Sequence, residues 1–243
     1  MKLHSNQRSA HERGFTLLEM MLVVAILATV TGGIFLELND AQQRITAEQT
    51  KVDNFDEARD FVDQFFRDIN QIGYPNGRIV MNLISPNIND PRLAVGLVKI
   101  SANSLWFEGD ITDSGVVQSV QYMINGSGTC AACLQRSQIA KVSGNPLTGQ
   151  GAADWGTEVN DVTTTTIFTY YDNNGNQITT LPADINSNGS VLASVKTIHI
   201  SLQIQNNAVM DPKTHQAIQT NFEGEVSLNN CSMAASGSSM SCP

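Results

Sequence analysis

Residues 15–36 form a predominantly apolar run whose only charge is Glu19. As a helix this run extends about 33 Å, at about 1.5 Å per residue, and crosses a hydrocarbon core of about 30 Å. Residues 1–14 are polar and basic, with Lys2, Arg8 and Arg13 against Glu12. A basic flank ahead of the span keeps the N-terminus in the cytoplasm and sends the remainder across. A removable signal peptide would place small residues for cleavage just after the run, and Asn39-Asp40-Ala41 is the nearest such triplet. A plain anchor leaves Glu19 without a purpose, because a carboxylate inside a membrane costs several kcal/mol unless it finds a partner.

The remaining chain is long enough for one globular domain of roughly 170 residues with its own core. The chain carries a formal charge of -9; the first 14 residues contribute 3 − 1 = +2, so the rest carries -9 − 2 = -11. An acidic body lacks the clustered Lys and Arg of nucleic-acid binders. The four cysteines, Cys130, Cys133, Cys231 and Cys242, are an even set beyond a membrane segment. That suits an oxidising compartment and allows three pairings.

Past the span, Ile45, Val52, Phe55, Phe61, Val62, Phe65, Phe66, Ile69 and Ile72 recur at helical spacing, predicting an amphipathic continuation that a sheet covers. Gly73-Tyr74-Pro75-Asn76-Gly77 stops it. Strand-like segments follow at 94–100, 104–108, 116–124, 134–142, 163–171, 194–205 and 222–228. In the sixth, Ile198, Ile200, Leu202 and Ile204 share one face. The tail after Asn229 is rich in Ser and Gly and predicts irregular structure. The fold class is α+β, a long N-terminal helix packed on antiparallel sheet.

Gly14-Phe15-Thr16-Leu17-Leu18-Glu19 resembles the prepilin peptidase signature of type IV pilins and type II secretion pseudopilins. The resemblance implies cleavage between Gly14 and Phe15, N-methylation of Phe15, and pairing of Glu19 with the N-terminal amine of a neighbouring subunit. An ion pair of that kind offsets the desolvation of the acid in an apolar filament core. Many major pilins carry a proline near the end of this span; here Leu36 stands there, preceded by Gly32-Gly33. Paired glycines weaken a helix by about 1 kcal/mol each, giving local melting, or else admit a close helix–helix contact. Phe65-Phe66-Arg67-Asp68-Ile69 with Ile72-Gly73-Tyr74 resembles the helix end of PilW-like minor pilins and J-type pseudopilins. Leu105-Trp106-Phe107-Glu108-Gly109-Asp110 followed by 116–122 resembles their first hairpin.

The resemblance therefore implies a leader at 1–14, a membrane or filament-core helix at 15–37, an amphipathic helix at 38–73, a β-rich head at 74–230 and a tail at 231–243. It implies a minor pilin engaged in pilus assembly or initiation, with a pseudopilin of type II secretion as the alternative. The implied partners are other pilins, prepilin peptidase, the assembly machinery and the bacterial inner membrane. The head is periplasmic before it enters the pilus or pseudopilus.

Cys130-Ala131-Ala132-Cys133 is a C-x-x-C, the spacing of thiol oxidoreductases at a helix N-terminus. Here it lies between two strand-like segments, which favours a structural disulfide, and short loops favour Cys130–Cys133 with Cys231–Cys242. Zinc on all four sulfurs is the other reading. Asp184-Ile185-Asn186-Ser187-Asn188-Gly189 matches the first half of a calcium loop, but its twelfth position is Val195 where a bidentate Glu is needed. A polar turn is favoured, with calcium at Asp184, Asn186 and Asn188 as the alternative. His199 and His215 stand alone, and no catalytic or phosphate-binding motif is present. The reading is a structural subunit and not an enzyme, with no cofactor; the competing classes are an adhesin or DNA-uptake tip protein and an anchored thiol oxidoreductase.

Overall fold

The computed structural model describes residues 15–76, 87–125, 128, 130–230, 232–233 and 240–241. Gly14, Cys231 and Cys242 lie outside the described residues. The chain forms two compact units that divide between Thr46 and Ala47. Helix α1 (Leu17–Asn70) begins in the first and ends in the second.

In the first unit the large apolar side chains from Phe15 to Leu38 are exposed. The helix runs unbroken through Gly32-Gly33, and a Cβ at either glycine would meet nothing within 4 Å. Local melting at these glycines is therefore not seen, and their surface is open to another helix.

In the second unit α1 buries Ala58, Phe61, Val62, Phe65 and Ile69. Their spacing of three and four residues keeps them on one face. That face lies on a six-stranded antiparallel sheet of order β5-β4-β3-β2-β1-β7 and a three-stranded antiparallel sheet of order β6-β8-β9. The strands are β1 (Leu97–Ile100), β2 (Ser104–Gly109), β3 (Gln118–Ile124), β4 (Leu134–Ala140), β5 (Trp155–Val159), β6 (Phe168–Asp172), β7 (Ala183–Asp184), β8 (Val195–Met210) and β9 (Ala217–Ser227). A short helix α2 (Gly189–Ser194) precedes β8, and β10 (Ser232–Met233) pairs with β11 (Met240–Ser241).

Aromatic contacts fix the helix over both sheets. The Phe65 ring lies 5.4 Å from Tyr122 of β3 and 5.8 Å from Phe168 of β6, centroid to centroid. Phe61 meets Tyr122 edge-on at 5.8 Å. Burying rings of this size contributes about 1.5–3 kcal/mol each before conformational entropy is counted. Polar contacts add direction. Tyr122 donates to Asp68 Oδ2 at 2.6 Å, and Arg136 Nε donates to the same oxygen at 2.9 Å. Burial, and then the Asp68 charge, hold the Tyr122 phenol well above its usual pKa.

The helix ends at Asn70, short of the expected 73. Ile72 already pairs with Gly109 as a β-bridge, Gly73 N–H donates to the Glu108 carbonyl at 2.9 Å, and Gly73 adopts a φ of 76°, which glycine tolerates without a Cβ clash. The expected apolar stripe divides. Its C-terminal members are buried or half-buried, whereas Ile45, Val52 and Phe55 are 69%, 51% and 45% exposed. Before Ala58 only Ala47 and Asn54 of α1 are buried, and Val52 and Phe55 lie at the margin of the second unit.

Candidate assembly surfaces

The start of α1 is set by a local hydrogen bond. Thr16 precedes the first helical residue, and its Oγ1 accepts the Glu19 N–H at 3.2 Å. Thr16-Leu17-Leu18-Glu19 has the spacing of a capping box, in which a hydroxyl satisfies an orphan N–H of the first turn. Glu19 also stands at the positive end of the helix dipole, which favours a carboxylate there. The dipole thus favours the acid itself, while the Thr16 bond caps the backbone of the first turn. Thr29 Oγ1 donates to the Ile26 carbonyl at 2.8 Å, so a hydroxyl within the apolar run is satisfied inside its own helix. Among the described residues, α1 is the helix long and apolar enough to cross a membrane. Phe15 and Glu19 are both exposed and available to another chain.

The cysteine loop lies between β3 and β4. A disulfide joins Cys130 to Cys133, with Cα atoms 5.9 Å apart. Cys133 is buried, its N–H donates to Asn125 Oδ1 at 3.1 Å, and the Ala132 carbonyl accepts Val162 N–H at 2.8 Å. The bond occupies both sulfurs, and β4 follows it directly, whereas the C-x-x-C of thiol oxidoreductases sits at a helix N-terminus.

The acidic turns use their carboxylates locally. Asp184 Oδ1 accepts the N–H groups of Asn186 and Ser187 at 2.9 and 2.8 Å, and Asn188 N–H donates to the Asp184 carbonyl at 2.9 Å. Asp110 accepts Ser114 and Gly115 N–H at 3.1 and 2.7 Å. Asp172 Oδ1 accepts Asn174 and Asn176 N–H, both at 2.8 Å, and these bonds lower its pKa. Each is a side-chain-to-backbone turn. Among the described residues no group of three or more His, Cys, Asp or Glu side chains is placed to hold a metal ion.

Sequence reasoning did not find a buried ion pair on the head. Lys141 Nζ lies 2.6 Å from Glu108 Oε2 and donates to the carbonyls of Leu93 and Ile88 at 2.8 and 3.1 Å. Glu108 Oε2 also accepts Val95 N–H at 3.1 Å. Burial pushes the Glu108 pKa up against the pull of Lys141. The pair secures residues 88–95 to the sheet.

Residues 9–35 match the family described as the prokaryotic N-terminal methylation motif. No curated protein and no solved structure matches the chain. The motif implies processing by prepilin peptidase and assembly into pilus-type filaments, and with the apolar helix it fits a membrane-anchored pilin. With this motif at the start of a long apolar helix, and antiparallel sheets after that helix, the chain is a type IV pilin-like protein.

Proposed function

We propose that this chain is a minor type IV pilin of the PilW-like group, a subunit that takes part in pilus assembly or initiation. The observation that carries the proposal is the methylation motif at 9–35 running into an exposed apolar helix whose first turn holds Glu19. Residues 1–14 are the leader, removed between Gly14 and Phe15, and Phe15 is then N-methylated. Residues 15–37 hold the subunit in the inner membrane and afterwards line the filament core. The head of residues 74–230 faces the periplasm, and the tail covers 231–243. PilW-like character is supported by the helix end at Phe65–Tyr74 and by the β2–β3 hairpin, in which Gly109 opposes Gln118. The same features occur in J-type pseudopilins, so a minor pseudopilin of type II secretion is the second reading.

N-terminal sequencing of the membrane-extracted protein tests the processing step. The expected mature chain begins at N-methylated Phe15. A chain beginning at Gln42, after the small residue Ala41, overturns the proposal. Deleting the gene separates the two readings: loss of surface filaments supports the pilin, and retention of exported enzymes inside the cell supports the pseudopilin.

A further inference from the structure

β9 (Ala217–Ser227) is an edge strand that hydrogen-bonds to β8 and, among the described residues, to no other strand. At about 3.4 Å per residue its eleven residues present an edge of about 37 Å. The other edges are shorter or covered: β7 has two residues, β5 has five, and β6 is flanked by the Tyr171–Gln177 bridge and the Ile178 N–H to Tyr170 carbonyl bond. Edge strands are ordinarily blunted by Lys, Pro or a bulge. β9 contains no Lys and no Pro, and its pairing with β8 is regular from Ile218 to Ser227.

The two faces of this edge differ. Toward α1, Phe222 meets Phe55 at 6.2 Å, and Gly224 lies against the Phe66 ring. Beside the edge, half-exposed Val52 and Phe55 line a shallow, mainly apolar groove with Lys51 and residues 219–221, the Lys51 ammonium being paired with Glu48 and Asp211. On the opposite face Glu223 and Glu225 are exposed, and neither forms an ion pair among the described residues.

We propose that the β9 edge is an interaction surface that accepts an extended strand of a partner protein, with apolar side chains toward α1 and Lys or Arg on the other face. The open backbone groups specify a strand, because an unpaired row of N–H and C=O is satisfied by another extended chain. The groove at Val52 and Phe55 specifies apolar residues at alternate positions, and Glu223 and Glu225 specify cations between them. A second copy of β9 suits the edge less well, since self-pairing along the strand gathers four carboxylates on one face. This surface lies within the second unit and is independent of the cleavage and membrane steps proposed above.

The full-length chain in detergent is titrated with a short peptide alternating Lys and Val, and with its counterpart alternating Glu and Val. Hydrogen exchange is read at the β9 amides. The expected result is binding of the Lys-Val peptide with slowed exchange along β9. Glu223→Lys with Glu225→Lys is expected to weaken that peptide about ten-fold, the scale of two cross-strand charge pairs, and to admit the Glu-Val peptide. Glu223→Gln with Glu225→Gln, which keeps size and polarity, weakens it less; it serves if the charge reversals disturb the exchange of β6 and β8. Unchanged β9 exchange at saturating Lys-Val peptide overturns the proposal. So does equal binding of both peptides, or β9 protection that rises with protein concentration in the absence of peptide.

Discussion

Glu108 and Lys141 are fully buried, 33 residues apart in the chain, and joined at 2.6 Å. Glu108 Oε1 finds no partner among the described residues, so the pair carries an unmet desolvation cost beside its Coulomb gain. Glu108→Gln leaves the Lys141 ammonium buried without its counter-charge and is expected to destabilise the head by about 3–5 kcal/mol. Glu108→Met with Lys141→Met removes both charges and is expected to recover part of that loss. Recovery stays incomplete because the carbonyls of Ile88 and Leu93 lose their donor, at about 1–3 kcal/mol for each buried group. Denaturant unfolding followed by Trp106 and Trp155 fluorescence measures this, and simple additivity of Glu108→Met and Lys141→Met in the double variant would refute the coupling. Nothing in the sequence near Glu108 or Lys141 announces the pair, because strand pairing brings them together. The Thr16-x-x-Glu19 cap also went unread, although both partners lie in one helical turn and the spacing is a capping signal.

Elements were legible where side-chain pattern and backbone pairing agree. Ile198, Ile200, Leu202 and Ile204 alternate in the sequence and are buried together on β8. Residues 163–166 are four threonines of high strand propensity, yet β6 begins only at Phe168. Instead Thr163 N–H donates to the Gln203 carbonyl, and Thr164 Oγ1 accepts Gln203 N–H, both at 2.9 Å, as single contacts outside any ladder. β5 has no apolar alternation; it is held by its backbone pairing with β4, which a one-dimensional pattern does not display. α2 is six residues long without a side-chain cap, too short for periodicity to register. Two glycines mark where elements press closest. A Cβ at Gly109 would stand 2.3 Å from the Gln71 carbonyl oxygen, which belongs to backbone, whereas a Cβ at Gly224 would stand 2.7 Å from the outer end of the half-buried Phe66 ring. Gly109→Ala is therefore expected to cost about 3 kcal/mol and Gly224→Ala about 1 kcal/mol, because the ring can shift and the backbone cannot. Unfolding curves that reverse this order would show that the helix end, not the ring, gives way. At the tail, β10 and β11 pair Ser232 with Ser241 and Met233 with Met240. Cys231 and Cys242 lie outside the described residues, and the local disulfide expected of them from the short loop is tested by non-reducing peptide mapping: a peptide that joins the tail to Cys130 or Cys133 would exclude it.

For the whole molecule, the question is how an acid at the start of an apolar helix serves assembly. No Lys or Arg lies within residues 15–36, so the cation for Glu19 comes from elsewhere. The proposed cleavage at Gly14–Phe15 would create an amine at membrane depth on every subunit. The subunit's own amine lies four residues away, and the amine of a neighbour aligns one helix against the next. The helix dipole favours the Glu19 carboxylate in an isolated subunit, and Thr16 secures the helix start that supplies that dipole. The dipole does not neutralise the acid, so in the proposed filament core pairing with a neighbour's amine would lower its energy further. On this proposal neutralisation and register would be a single event. Glu19→Val removes the burial cost and is expected to leave insertion and cleavage intact while reducing incorporation. Glu19→Lys places two cations together and is expected to reduce incorporation further. Thr16→Val removes the cap and keeps the charge; it is expected to cost about 1 kcal/mol at the helix start and to leave incorporation close to normal. Cleavage is checked by mass, and incorporation by the amount of each variant in sheared filaments or crosslinked initiation complexes. Equal incorporation of the Glu19→Lys and unmodified chains would remove Glu19 from the assembly contact. Loss of incorporation in Thr16→Val equal to that in Glu19→Val would mean that helix initiation, and not the ion pair, is what the filament requires.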